Sequence, residues 1–349
     1  MNINHRLYLH DLKNSCTQDI PWEKLSEKTV LVTGASGLIG SAVIDILMYR
    51  NRYHNQKTTV IAMGRNPARL AARFVSYQDT PWFHMAVQDV TTPFTLQDRV
   101  DFAIHAASNA DPRTYSTDPV GTMTGNFLGM LQVLNYVNQN HGARVLYVSS
   151  GEVYGEGTGI ESFKEGYSGY VDCTSPRACY PSSKRAAETL CASYYKQYGL
   201  ETVIARPCHV YGPTATKQDS RASAQFFNNV LRGEDIVLKS QGLQLRTYCY
   251  GTDCASAILC ILLKGKAGEA YNVADKNSLV TIRRFAELTA EASGKHVVFD
   301  LPDKIEREGY TVVTKAVLDA SKLEDLGWQA QTPIAEGIKK TIEILKEEQ

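Results

Sequence analysis

"TVLVTGASGLIGSAVIDILMYRN", Thr29 to Asn51, decides how the rest of the 349-residue chain is read. Its first five residues (29–33) are β-branched and apolar, the composition of a buried strand. Gly34, Gly37 and Gly40 follow in GxxGxxG spacing, and the run from 40 to 51 predicts a helix. Glycines between a strand and a helix permit a tight turn. They also let backbone N–H groups approach an anion at the positive helix N-terminus. A dinucleotide pyrophosphate suits such a loop, with Gly34, Ser36, Gly37, Leu38, Ile39 and Gly40 around it. The spacing has one more residue between the first two glycines than the commonest GxGxxG fingerprint. The alternative is a plain strand–turn–helix connection.

Outward from this unit, short apolar runs alternate with longer amphipathic ones. Strands are predicted at 29–33, 59–63, 100–106, 144–149 and 201–206, and helices at 40–51 and 183–199. Continuous apolar strands separated by helices mean an α/β, doubly wound parallel sheet of the Rossmann kind, covered on both faces. From about Gly212 the pattern changes to short mixed segments, with a helix near 281–294 and a last one from about Pro333. The expected organisation is an N-terminal arm (1–28), a dinucleotide-binding domain (29–212) and a smaller substrate-binding lobe (213–349) interleaved with it. No Pro/Gly/Ser-rich linker separates them.

Lys+Arg and Asp+Glu balance at 37 each. That leaves no electrostatic footprint for nucleic acid or an anionic membrane surface. No stretch approaches the roughly 20 apolar residues of a membrane span, and the N-terminus has no run of signal-peptide length. The eight cysteines are scattered, with no CxxC pair and no Cys/His spacing for zinc, so no metal site is expected. Cys249, Cys254 and Cys260 read as buried free thiols, which fits a reducing, cytoplasmic setting.

The ends of the predicted strands carry the remaining cofactor candidates. After the second strand stands Arg65, where NAD-binding proteins usually place an acid on the ribose. An arginine there can pair with a 2′-phosphate and favours NADP over NAD; stacking on adenine or facing solvent are the alternatives. Asp89 and Val90 follow the third strand, at the place of an adenine contact. "HAAS" ends the fourth, with Ala106, Ala107 and Ser108 along the cofactor and His105 read as structural.

"YPSSK" sets Tyr180 and Lys184 four apart, on one face of a helix. Lowering a phenol from about 10 to 7 requires roughly 4 kcal/mol. One positive charge about 5 Å away, at an effective dielectric near 20, supplies roughly 3 kcal/mol. A nearby lysine and an oxidised nicotinamide together suffice to make Tyr180 a base. YxxxK is common by chance. Its place in the order glycine loop, "HAAS", "SSGEVYG" (149–155), YxxxK and "RPCHVYGP" (206–213) is not.

That ordered set resembles the extended short-chain dehydrogenase/reductases, the NAD-dependent nucleotide-sugar epimerases, dehydratases and decarboxylases. The resemblance runs from Thr29 to about Glu336. It implies a tightly bound, recycled NAD(P) and a nucleotide-diphosphate sugar as substrate. Tyr180 and Lys184 would be catalytic and also touch the cofactor, with Ser150 as the active-site hydroxyl. It further implies substrate contacts from Asn126, Arg221 and Arg246, and from His209, which stands where relatives have an asparagine. "PRACYPSSKRAAETL" (176–190) is most similar to the UDP-glucuronate decarboxylase branch. Glu152, two residues beyond Ser150, matches that branch's glutamate. Along an extended segment it would point the way Ser150 does. The branch also has an arginine in its C-terminal lobe; residues 314–328 hold no arginine to match it, and Lys315 is no more than a guess at its counterpart.

A 4,6-dehydratase needs an aspartate where this chain has Gly151, and an epimerase needs neither acid. A net NADPH-consuming reductase is a further alternative, favoured if Arg65 binds a 2′-phosphate. A non-catalytic nucleotide sensor would have no use for Ser150, Tyr180 and Lys184 together. The family's dimers pair helices, and Ala187, Leu190, Cys191 and Tyr194 form an extra apolar stripe on the YxxxK helix, so a homodimer is expected.

Overall fold

The computed structural model describes residues 3–110, 112–216, 218–301 and 315–348. The first half runs α1 (Arg6–Ser15), β1 (Thr29–Thr33), α2 (Leu38–His54), β2 (Thr59–Gly64), α3 (Pro67–Arg73), β3 (Phe83–Val87), β4 (Phe102–His105), α4 (Pro112–Thr117), α5 (Pro119–Gln139), β5 (Arg144–Val148), α6 (Cys179–Tyr198) and β6 (Glu201–Pro207). The second half adds β7 (His209–Tyr211), α7 (Ala222–Leu231), β8 (Ile236–Leu238), β9 (Leu245–Tyr250), α8 (Gly251–Lys264), β10 (Ala270–Val273), β11 (Asp275–Thr281), α9 (Ile282–Ser293), β12 (Val297–Phe299), β13 (Lys315–Ala316), α10 (Ser321–Glu324) and α11 (Ile334–Lys346).

Among the described residues the main sheet has seven strands, all parallel, in the order β3-β2-β1-β4-β5-β6-β10. Strand order reverses between β1 and β4, and a crevice opens at the carboxyl ends there. Helices α1, α2 and α8 cover one face of the sheet; α5 and α6 cover the other.

Two sequence-based expectations change. The chain re-enters the large sheet after leaving it, because α8 packs on α2 and β10 pairs with β6. Residues 251–273 therefore belong to the dinucleotide-binding layer although they follow Gly212. The apolar content of "CASAILCILL" already agreed with this: every residue of α8 except Lys264 is buried. The N-terminal segment packs on the body through α1. Tyr8 and Leu12 of α1 are fully buried, and Tyr8 Oη donates to Asp45 of α2 at 2.6 Å. Asp45 also pairs with Arg73 and accepts from Tyr77 at 3.0 Å. Asp11 faces the other lobe, holding Lys340 at 2.6 Å and Tyr250 Oη at 3.0 Å.

The second change concerns the stripe on α6. Ala187, Cys191 and Tyr194 are buried in this chain's own core against β5, β6 and α5, and Leu190 is half-buried against them. One core does account for that stripe. The surplus apolar face lies on α5, where Val120, Met123, Phe127 and Leu128 are 72, 45, 38 and 37% exposed.

The smaller lobe centres on β9, antiparallel to β11 and parallel to β7 and β13. With α7, α9 and α11 it closes over Tyr211, Tyr248, Tyr250 and Phe285.

Candidate active site

The glycine loop sits at the switch point. Thr33 and His105 are register partners on β1 and β4, so the backbone after each strand meets the other. Gly34 has φ +66°, and a Cβ there would lie 2.6 Å from the carbonyl of Ala106 and the nitrogen of Ala107. A Cβ on Gly40 would lie 2.5 Å from the Gly34 oxygen. Helix α2 starts at Gly37 with no side-chain cap, so its first N–H groups have no side-chain acceptor. Close backbone approach and an uncapped helix N-terminus fit a dinucleotide pyrophosphate. Ser36 and Ile39 are half-buried at the same turn, while Leu38 is buried.

Arg65 is exposed just beyond β2. Asp89 accepts from Thr91 N and Oγ1 at 2.9 and 2.8 Å, and these bonds hold its carboxyl below the usual range, with Arg65 adding to the effect. Val90, Ala107 and Ser108 are half-buried around the same end of the sheet. His105 is fully buried and hydrogen-bonds Thr33 at 2.7 Å. Burial, and then Lys184, push its ring down to about 3, so it is neutral and structural.

Ser150, Glu152, Tyr180 and Lys184 converge where β5 and α6 meet. Ser150 caps a 3-10 turn, Gly151–Tyr154, its Oγ accepting from Glu152 N at 3.2 Å. The turn replaces the extended segment expected after β5. Glu152 is exposed on this turn, and its charge works against ionisation of the Tyr180 and Tyr115 phenols. Its carboxylate pairs with Arg177 at 3.0 Å. A Cβ on Gly151 would stand 3.2 Å from Leu318 and 3.5 Å from the Pro207 oxygen.

Lys184 is buried with its Nζ donating to Val148 O at 2.8 Å, 5.6 Å from the Tyr180 ring centroid. Burial pushes its ammonium down to about 7, partly opposed by Glu188. Burial and then Glu152 push the Tyr180 phenol up to about 12; Ser150, Arg221 and Tyr115 act the other way. This differs from the expectation that Lys184 supplies the main shift. A lysine so enclosed loses charge before it can lend much.

On the substrate side, Arg246 of β9 is half-buried with its Nε lacking a partner among the described residues. Arg221, the N-cap of α7, pairs with Asp219 at 2.5 Å. His209 lies near both arginines, and burial followed by their charge pushes it down to about 3, so it is neutral. Its Nδ1 also lacks a partner among the described residues. Asn126 is enclosed at 1% exposure. Its amide accepts from Ser108 at 2.7 Å and donates to Ser183 at 2.9 Å, tying the end of β4 to α6. Lys315 opens β13, in register with Leu245 beside Arg246.

Sequence reasoning missed Tyr115 and Arg177. The Tyr115 ring stacks on Tyr180 with centroids 4.7 Å apart, and the Arg177 guanidinium lies 4.7 Å from the Tyr115 centroid. Arg177, three residues before Tyr180, could have been found from helical spacing. Tyr115 is 65 positions away and had no such signal.

Residues 30–274 match the family model described as the NAD dependent epimerase/dehydratase family. The chain is 31% identical to UDP-glucuronic acid decarboxylase 1 of Xenopus tropicalis over 348 residues, 97% of this chain and 78% of that protein. It resembles the crystal structure of UDP-glucose 4-epimerase from Thermotoga maritima with UDP-glucose, at 25% identity and TM-score 0.78, covering 92% of this chain and 99% of that one. UDP-glucose 4-epimerase of Thermus thermophilus in complex with NAD is 26% identical, with TM-score 0.75 and coverage of 91 and 99%.

Proposed function

Since the chain belongs to the NAD dependent epimerase/dehydratase family, we propose that it converts UDP-glucuronate to UDP-xylose and carbon dioxide with no net change in nicotinamide. The observation that carries this over dehydration is position 151. A dehydratase needs an acid there; here position 151 is a glycine, with Leu318 3.2 Å from where a Cβ would stand, and Glu152 follows it, paired with Arg177.

Tyr180 takes the C4 hydroxyl proton and Ser150 holds the C4 oxygen. A nicotinamide held by the glycine loop would supply reversible hydride transfer at C4 and, when oxidised, a positive charge that favours the Tyr180 phenolate. A C4 ketone makes the glucuronate a β-keto acid, so the C5–carboxylate bond breaks with its electrons moving toward the ketone. One proton then arrives at C5, and Glu152 manages that proton. Lys184 holds the β5 end against α6 through Val148, and Asn126 positions the same helix through Ser183. Arg246 and Arg221 grip the diphosphate, with neutral His209 between them.

Gly34, Ser36, Gly37, Leu38, Ile39 and Gly40 hold the pyrophosphate; Asp89, Val90, Ala106, Ala107 and Ser108 line the cofactor. Exposed Arg65 favours NADP. The enzyme works as a homodimer through the α5 face. Eight free cysteines suit the cytoplasm. No helix among the described residues is long and apolar enough to cross a membrane.

Purified protein with NAD or NADP should release carbon dioxide from UDP-glucuronate stoichiometrically with UDP-xylose, and Glu152→Gln should accumulate reduced cofactor. No carbon dioxide overturns the reading. Mass spectrometry over a panel of UDP-, dTDP-, CDP- and GDP-sugars then separates epimerisation from dehydration, and stoichiometric loss of NADPH identifies a reductase.

A further inference from the structure

Tyr115 is the one aromatic side chain stacked on Tyr180 among the described residues, and it has no role in the mechanism above. It is 4% exposed, on the short helix α4, and forms a small apolar cluster with Cys179 and Tyr180. The two rings are 25° from parallel at 4.7 Å, a geometry that fixes the plane of the Tyr180 ring. Arg177 lies against Tyr115 and is itself held by Glu152 at 3.0 Å. Substrate-side residues and the Tyr180 ring are thus joined through Tyr115.

With the rings stacked, Tyr115 acts on the Tyr180 phenol in the direction that favours its phenolate, as Ser150 does. Burial and the neighbouring Tyr180 and Glu152 charges hold Tyr115 itself far above the ordinary phenol range, so it stays protonated and available as a donor. An O–H donor to an ionised oxygen is among the stronger hydrogen bonds in proteins.

We propose that Tyr115 is a positioning residue for the base: its ring sets the orientation of Tyr180, and its hydroxyl donates to the Tyr180 oxygen once that oxygen has lost its proton. This rests on Tyr180 being the base. The other groups facing Tyr180 are the Ser150 hydroxyl and Glu152 from the 3-10 turn, Arg221 from the start of α7, Tyr147 from β5, and Lys184 on its own helix. Of these, Ser150 and Arg221 favour the phenolate and Glu152 opposes it, leaving Tyr115 as the second hydroxyl donor.

Tyr115→Phe keeps the ring and removes the donor. With UDP-glucuronate, the rising limb of the kcat/KM profile should move up by about one pH unit, a roughly ten-fold loss below the limb. KM should change little, and Tyr115→Ala should lose more through the stack. A Tyr115→Phe profile superimposable on wild type overturns the proposal. A readout free of turnover uses the NADP complex labelled with 13Cζ-tyrosine, in which the positive charge of the oxidised ring draws the Tyr180 phenol below its cofactor-free value, titrated from about pH 7 to about pH 11. The resonance missing in Tyr180→Phe should titrate about one unit higher in Tyr115→Phe; an unmoved midpoint refutes the donor role. Full activity in Tyr180→Phe would instead sink the assignment of the base, independently of Tyr115.

Discussion

Lys184 shows what a single buried residue costs and contributes. Its side chain is held in the core, so folding opposes its protonation. Its folded value, about 7, lies below the ordinary 10.5. Between those values the unfolded chain binds more protons than the folded one. Stability from this group is therefore fully present above the unfolded value and is lost as pH falls toward 7. Lys184→Met should remove that dependence: in urea titrations at about pH 7 and pH 9, wild type should gain about 2 kcal/mol relative to the variant. Turnover should be lost in the variant at both values. Equal pH dependence in the two proteins would show that Lys184 is not the buried cation described. Tyr180 and Lys184 were both legible as a pair from spacing alone. The direction in which burial moves each was not, because it depends on enclosure by α5, β5 and the 3-10 turn.

Among the elements, the β1–loop–α2 unit has the least tolerance. Gly34 combines a left-handed φ with backbone atoms 2.6 Å from where a Cβ would sit, and Gly40 meets the Gly34 oxygen at 2.5 Å. At Gly37 the nearest atom is 3.2 Å away. Gly34→Ala should therefore lower stability by about 2–4 kcal/mol and abolish the rise in Tm given by NAD or NADP, with Gly40→Ala close behind and Gly37→Ala mildest. Differential scanning fluorimetry with and without nucleotide ranks the three, and a wild-type shift in Gly34→Ala would remove the loop from the cofactor site. The glycine pattern was readable from sequence because backbone conformation there is a local property. The contact with Ala106 required β1 and β4 to be neighbours, which local pattern leaves open.

At the scale of the whole molecule, α5 is buried on one side against α6 and exposes Val120, Met123, Phe127 and Leu128 on the other. A contiguous apolar face on a long helix calls for a partner. Light scattering at micromolar concentration should give twice the 38.7 kDa chain mass. Val120→Glu/Phe127→Glu should give a monomer with unchanged far-UV circular dichroism. A wild-type monomer would contradict the dimer. Helix α1 binds the two lobes to each other through Tyr8–Asp45 on one side and Asp11–Lys340 on the other. The leader is thus a structural tie.

By itself the sequence determined the parallel α/β class, five of the seven main-sheet strands to within two residues at each end, and the glycine loop, and it supplied Ser150, Glu152, Tyr180 and Lys184 as candidates. These rest on period, local backbone conformation and spacing along one chain. Only the tertiary structure decided that β10 returns to the large sheet, that the α6 stripe is core while α5 is bare, that Leu318 stands beside Gly151, and that Tyr115 lies on Tyr180. Each of those is a contact between segments far apart in sequence, and side-chain burial there depends on which elements the fold brings together, not on the residues adjacent in the chain.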